Sequence, residues 1–156
     1  MTIILDTNVV SDLRLPDPDP RLAAWFAVAP EDELALAAFT IAEIEYGIAI
    51  LPPSRAALAA QLRAWLEAIL DASRILPLDA GAARILGRMH ATPALRHLAT
   101  TPPASRRPRF GGDLVIAAIA IAAGATVATR NLDDFAVIAA HFPALRALDP
   151  ATGRNV

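Results

Sequence analysis

Three carboxylates and one amide, Asp6, Glu43, Asp113 and Asn131, are far apart in the chain but share a setting, since each follows or opens an apolar segment. Asp6 comes straight after TIIL at 2–5, and Asn131 stands just beyond TVAT at 126–129. In open α/β sheets, groups placed past the carboxyl ends of strands collect at one edge, so these two should project together. Glu43 falls in the first turn of a helix that follows LALA at 34–37, and Asp113 begins the run DLVIAAIAIAAG. Carboxylates that converge repel one another, and burying them unpaired costs several kcal/mol or forces proton uptake. A divalent cation removes that cost. Two such ions about 4 Å apart activate a water and stabilise the leaving oxygen of an in-line phosphodiester displacement. The chain has no Cys, so its ligands are hard oxygens that suit Mg2+ or Mn2+. Asp6, Glu43 and Asp113 are the candidate catalytic and metal-binding residues. Asn131 is a candidate fourth ligand, with Asp133 or Asp134 able to supply a fourth charge and Asp133 taken as a supporting group.

Each of these residues also has a plainer role. Asp6 and Asp113 can be helix N-caps. Glu43 stands three residues after Thr40, the spacing of a capping box, though a box member can also be a ligand. Glu45 lies on the stripe of Ile41, Ile44 and Ile48, so periodicity does not choose between the two glutamates. Gly47, one turn beyond Glu43, leaves room on that face and favours Glu43. His90, His97 and His141 are scattered without partners at ligand spacing and read as surface residues.

The positioning elements follow from apolar patterning and its breaks. TIIL at 2–5 reads as a buried strand, and DTN opens a brief helix. PDPDP at 16–20 is a turn, with Pro20 suited to the first turn of a helix through about Val28. LALA at 34–37 is a second strand, followed by a helix over 41–51 capped by Thr40 and ended by Pro52 and Pro53. Ser54 opens a longer helix to about Ala72, and RILPL at 74–78 is a third strand. Asp79 caps a helix to about His90. From Thr92 to Gly112 four prolines and four arginines break the pattern, and this stretch reads as a mobile loop. The helix from Asp113 is apolar all round, which means burial at the centre of the domain, and Gly124 suits its C-terminal cap. TVAT at 126–129 is a strand, NLDDF a short helix, and LRALD at 145–149 a final edge strand. Strand alternating with helix specifies α/β with a parallel sheet.

With 156 residues, 55% of them hydrophobic, the chain fills one domain. No apolar run is long enough to cross a bilayer, and Met1 leads into TIILDTN without a basic signal region, so a cytoplasmic address is expected. A formal charge of −2 excludes a generally basic nucleic-acid-binding surface. All 14 basic residues are Arg. Arg106, Arg107 and Arg109 in the loop, with Arg130, are candidate contacts to RNA phosphates. A phosphatase or phospho-acceptor using Asp6 as nucleophile would need a Lys to neutralise phosphoryl oxygens. The chain has none, and Asn8 stands where a second acid would be wanted.

Five segments, ILDTNVVSDL at 4–13, TIAEIEYGI at 40–48, RILPLD at 74–79, DLVIAAIA at 113–120 and ATRNLDDF at 128–135, resemble in order and spacing the PIN-domain toxins of bacterial toxin–antitoxin pairs, the VapC group and its FitB-like branch. The resemblance implies a three-layer α/β/α fold with four to five parallel strands. By it, Asp6, Glu43 and Asp113 match the three metal-binding acids, and Asn131 matches the position of a fourth acid. Asn8, Thr40 and Thr129 match polar positions that support the acids by hydrogen bonds. It further implies metal-dependent cleavage of RNA, a homodimer or a larger toxin–antitoxin assembly, and a cognate antitoxin whose C-terminal segment blocks the acidic pocket. The alternative is a PIN-fold module, weakened at the fourth ligand, that binds RNA or antitoxin without cleaving.

Overall fold

The computed structural model describes residues 1–99 and 111–156. Five short strands, β1 (Ile3–Leu5), β2 (Leu34–Ala37), β3 (Arg74–Leu76), β4 (Thr126–Ala128) and β5 (Arg146–Leu148), form one sheet in the order β3-β2-β1-β4-β5. Every pairing in it is parallel. The chain starts at the centre, steps outward through β2 and β3, then returns to build β4 and β5 on the other side. The direction of winding therefore reverses between β1 and β4, which is where such a sheet opens a crevice beyond its carboxyl ends.

The pleat sorts the apolar residues into two cores. Ile4, Ala35, Ala37 and Val127 face one layer, which contains α5 (Ala80–Ala91), α7 (Gly112–Ala123) and α8 (Leu132–His141). Ile3, Leu5, Leu36 and Ala128 face the other, which contains α1 (Thr7–Leu13), α2 (Pro20–Val28), α3 (Ala38–Ala49) and α4 (Ala56–Ala72). Successive strand residues point to opposite faces, so strands apolar on both faces require helices on both sides. The three-layer α/β/α arrangement follows. In α7 every residue from Leu114 to Ala120 is buried, as its all-round hydrophobicity predicts, and Gly124 closes the helix at φ 62°. Asp6 and Asp79 cap α1 and α5 through backbone N–H groups of Thr7 and Ala82, and Pro20 opens α2.

Several local expectations are corrected. Helix α3 starts at Ala38 directly after β2, with Ala37 as N-cap and no side-chain cap bond. Thr40 is therefore inside the helix, and the Thr40–Glu43 capping box does not form. Here the chain turns from strand to helix without a linker, and partly buried Phe39 is already packed against the core. Ser54 lies in a 3-10 turn over Pro53–Arg55, ahead of α4. Helix α8 runs to His141, twice the length read from NLDDF, because Phe135 and Ile138 continue the buried stripe. The Asp113 helix starts one residue earlier, with Gly111 as N-cap at φ 64°.

The largest correction concerns the first part of the 92–112 stretch, residues 93–99. Pro93–Leu95 forms a 3-10 turn and Arg96–Ala99 a short helix, α6, with Leu95 and Leu98 buried in the core, the turn against α5 and α6 against α7. Two leucines at helical spacing outweighed the proline signal. Residues 100–110, including Arg106, Arg107 and Arg109, lie outside the described residues. Among the described residues, no helix is long and apolar enough to cross a membrane. Leu95→Ala should cost about 2–5 kcal/mol in denaturant melts, as for a packed core leucine. A change within about 0.5 kcal/mol, as expected of a loop position, would contradict the packing described.

Candidate active site

Asp6 leaves the end of β1 and is 3% exposed. Its backbone N–H donates to the Ala128 carbonyl at 2.9 Å, holding it at the seam with β4. Oδ1 accepts from the Thr7 N–H at 2.7 Å, and Oδ2 accepts from Asn8 Nδ2 at 2.6 Å and from the Thr129 hydroxyl at 2.7 Å. The same Thr129 oxygen accepts from the Asn131 N–H at 2.9 Å. Asn8 Oδ1 accepts from the Arg130 N–H at 3.0 Å, so the turns after β1 and β4 are stitched together around the carboxylate. Asn8 and Thr129 thus both donate to the same oxygen of Asp6.

Glu43 reaches this cluster from the second turn of α3. Thr7 joins the two acids, its N–H on Asp6 and its hydroxyl donating to Glu43 Oε2 at 2.5 Å. On the far side Asn131 Nδ2 donates to Asp113 Oδ2 at 3.2 Å and to Asp134 Oδ2 at 2.7 Å. The site is therefore two acidic halves, Asp6 with Glu43 and Asp113 with Asp134, hinged on Thr129 and Asn131. Asn131 enters as a donor between carboxylates.

Burial raises the Asp6 pKa from 3.8 to about 6, with a further push from the Glu43 charge, against the lowering effect of Thr129, Thr7 and Asn8. Burial likewise raises the pKa of Glu43, helped by the Asp113 charge and opposed by the Thr7 hydroxyl. Uncompensated negative charge is what a hard cation relieves, and an all-oxygen donor set fits Mg2+ or Mn2+. Among the described residues no three acidic or histidine side chains are drawn tightly enough to enclose an ion as they stand. The carboxylates are held as coupled pairs.

Other sequence-based candidates separate. Glu45 is exposed, which leaves Glu43 as the glutamate of the cluster, although the reason differs from the one expected. A Cβ at Gly47 would meet nothing within 4 Å, so that glycine makes no room for Glu43. Thr40 is fully buried, and its hydroxyl is the buried side-chain atom that finds no hydrogen-bond partner among the described residues. It therefore supports no acid by hydrogen bonding, and leaving it unsatisfied costs roughly 1–3 kcal/mol. Asp133 is turned to solvent and meets Arg154 at 3.3 Å. Its neighbour Asp134, one helical step round and three residues from Asn131, is the acid that faces the cluster. The Arg130 guanidinium holds Asp12 at 2.7 Å and Asp19 at 3.2 Å, tying the β4 turn to α1 and to the N-cap of α2. His90, His97 and His141 are exposed. Thr7 was missed by sequence reasoning, although a hydroxyl between two strand-end polar residues in DTN was available as a signal.

The raised pKa of Asp6 makes a signed prediction for metal-free protein. The unfolded chain releases this proton near pH 3.8, whereas the folded protein holds it to about pH 6. The stability from this group is thus fully present below 3.8 and lost as pH rises through about 6. Between pH 4 and pH 7 the stability difference between Asp6→Asn and wild type should move by roughly 2–3 kcal/mol in the variant's favour. Chemical melts at the two pH values measure it, and a difference that does not change with pH would contradict the burial argument.

Comparison with known proteins agrees with this fold. The sequence pattern of the PIN domain matches residues 3–140. The VapC ribonuclease Y4jK of Sinorhizobium fredii is 34% identical over 134 residues, covering 85% of this chain and 89% of that one. The crystal structure of FitAcB from Neisseria gonorrhoeae superposes with a TM-score of 0.72 at 29% identity, covering 97% of this chain and 99% of that chain. VapBC-5 of Mycobacterium tuberculosis, a member of the VapBC family of toxin–antitoxin systems, superposes with a TM-score of 0.60 at 30% identity, covering 94% of this chain and 98% of that chain. A parallel sheet with its acids gathered beyond β1 and β4, and a family pattern spanning most of the chain, lead to one assignment: the chain belongs to the PIN-domain family.

Proposed function

We propose that this chain is a divalent-metal-dependent endoribonuclease, the toxin of a type II toxin–antitoxin pair, in which Asp6, Glu43 and Asp113 hold Mg2+ or Mn2+. The observation that carries the reading is the buried Asp6 carboxylate, its pKa raised to about 6 and its charge coupled to Glu43, which is coupled in turn to Asp113. Such a cluster is costly to keep for structure alone. Its position at the reversal between β1 and β4 is where a parallel sheet binds ligands.

A bound ion would supply positive charge to the phosphodiester and an acidified water. The chain's own residues prepare for it. Thr129, Thr7 and Asn8 fix the Asp6 oxygens in place, so that Asp6 cannot rotate away when it loses its proton. Thr7 holds Glu43 to the same edge. Asn131 keeps Asp113 and Asp134 on either side of one amide, which makes Asp134 the acid that compensates for an uncharged residue at 131. Arg130 is engaged by Asp12 and Asp19, so contact with an RNA phosphate would require exchange of those partners. The relative of known structure from M. tuberculosis belongs to the toxin–antitoxin systems, and a cognate antitoxin, a homodimer and a cytoplasmic setting are proposed here by that kinship.

The competing reading, a non-cleaving module that binds RNA or antitoxin, has Asn131 in its favour, since the structure shows it as a donor. Purified protein incubated with RNA and Mn2+ should cleave it, and chelation should stop cleavage. Asp113→Ala should lower the rate by more than the roughly 10–100-fold typical of a residue that only orients a metal ligand, while the far-UV circular dichroism stays unchanged. Wild type and Asp113→Ala that are equally inert yet bind RNA alike would establish the binding module instead.

A further inference from the structure

The glycine that faces Glu43 is Gly112, the first residue of α7. A Cβ placed there would overlap Glu43 Oε1, and would lie 3.0 Å from Glu43 Cδ and 3.2 Å from Phe39 Cε1. Phe39 is packed against the core and has little freedom to withdraw. The group left to yield is the Glu43 carboxylate. Displacing it would disturb the 2.5 Å bond that its other oxygen, Oε2, accepts from the Thr7 hydroxyl and shift its charge relative to Asp113, the residue that follows Gly112. Nothing in the backbone demands glycine here, because among the described residues positive φ is confined to Gly111, Gly124 and Gly153. Helix propensity on its own favours Ala over Gly at a helical position.

We propose that Gly112 is a positioning residue for the acidic site: the missing side chain at the start of α7 lets the Glu43 carboxylate lie against the helix backbone, beside the Thr7 hydroxyl and close to Asp113. The consequence for ion binding rests on the nuclease reading, whereas the steric claim stands without it. Neighbouring glycines provide contrast, since Gly47, on the same helix as Glu43, would accept a methyl group with nothing within 4 Å.

A double-mutant cycle isolates the effect. Wild type, Gly112→Ala, Glu43→Ala and the double variant are melted without metal, and wild type, Gly112→Ala and Gly47→Ala are titrated with Mn2+ alone by calorimetry. Gly112→Ala should lower the Tm when Glu43 is present and leave it unchanged or raised when residue 43 is Ala. It should weaken Mn2+ binding at least tenfold, with Gly47→Ala unchanged. If the single variant fails to fold, recovery of a cooperative melt in the double variant counts as the same coupling, and no recovery overturns the proposal. Equal Tm changes in both backgrounds overturn it. So does undiminished Mn2+ affinity in Gly112→Ala when wild type binds Mn2+. If wild type binds no Mn2+, the metal reading fails while the Tm cycle still decides the steric claim.

Discussion

Negative charge held out of water at the end of the central strand is the constraint around which this molecule is arranged. Asp6 is almost wholly buried and accepts hydrogen bonds from Thr7, Asn8 and Thr129, yet its pKa still rises to about 6. Three donors would ordinarily pull a carboxylate downward. That the balance goes the other way means burial and the Glu43 charge together exceed what the donors supply. Burial and the neighbouring charge therefore favour the protonated form of Asp6.

The scaffold supplies rigidity. β1 lies between β2 and β4, so Asp6 is anchored on both sides by strand pairing. Asp113 rides on α7, whose buried length is locked among α5, α6, α8 and the sheet. Thr129 and Asn131 come from the turn after β4, and Arg130 fixes that turn by grasping Asp12 and Asp19. Carboxylates that repel would drift apart on mobile loops. Mounted on buried elements, they remain close.

The site keeps its acids in pairs, each joined by a neutral donor. The Thr7 hydroxyl and backbone N–H serve Asp6 and Glu43, and the Asn131 amide serves Asp113 and Asp134. A neutral donor stabilises both carboxylates without contributing charge of its own, so the negative charge of the cluster is not cancelled. An Arg or Lys in either place would have neutralised it. Arg130, next to Asn131, is directed to Asp12 and Asp19 instead, and Arg154 to Asp133.

Local chemistry was readable from the chain alone. LALA, TVAT and the Asp6, Pro20, Asp79 and Gly124 boundaries are decided by pleat alternation, capping and backbone freedom within a few residues, and they stand as read. Strand ends and helix starts in a parallel sheet share an edge, and there Thr7 joins Asp6 to Glu43 while Asn131 holds Asp113. What the tertiary structure alone decided depends on distances between remote segments. Thr40 and Glu43 have the spacing of a cap but lie within a helix that begins earlier. Leu95 and Leu98 fold 93–99 onto the core. Asp134 faces the cluster while Asp133 faces water, and Gly112, 69 residues from Glu43, is the glycine that gives it room. Sequence spacing reports which groups share a face of one element. Which faces meet is determined by packing, and packing is non-local.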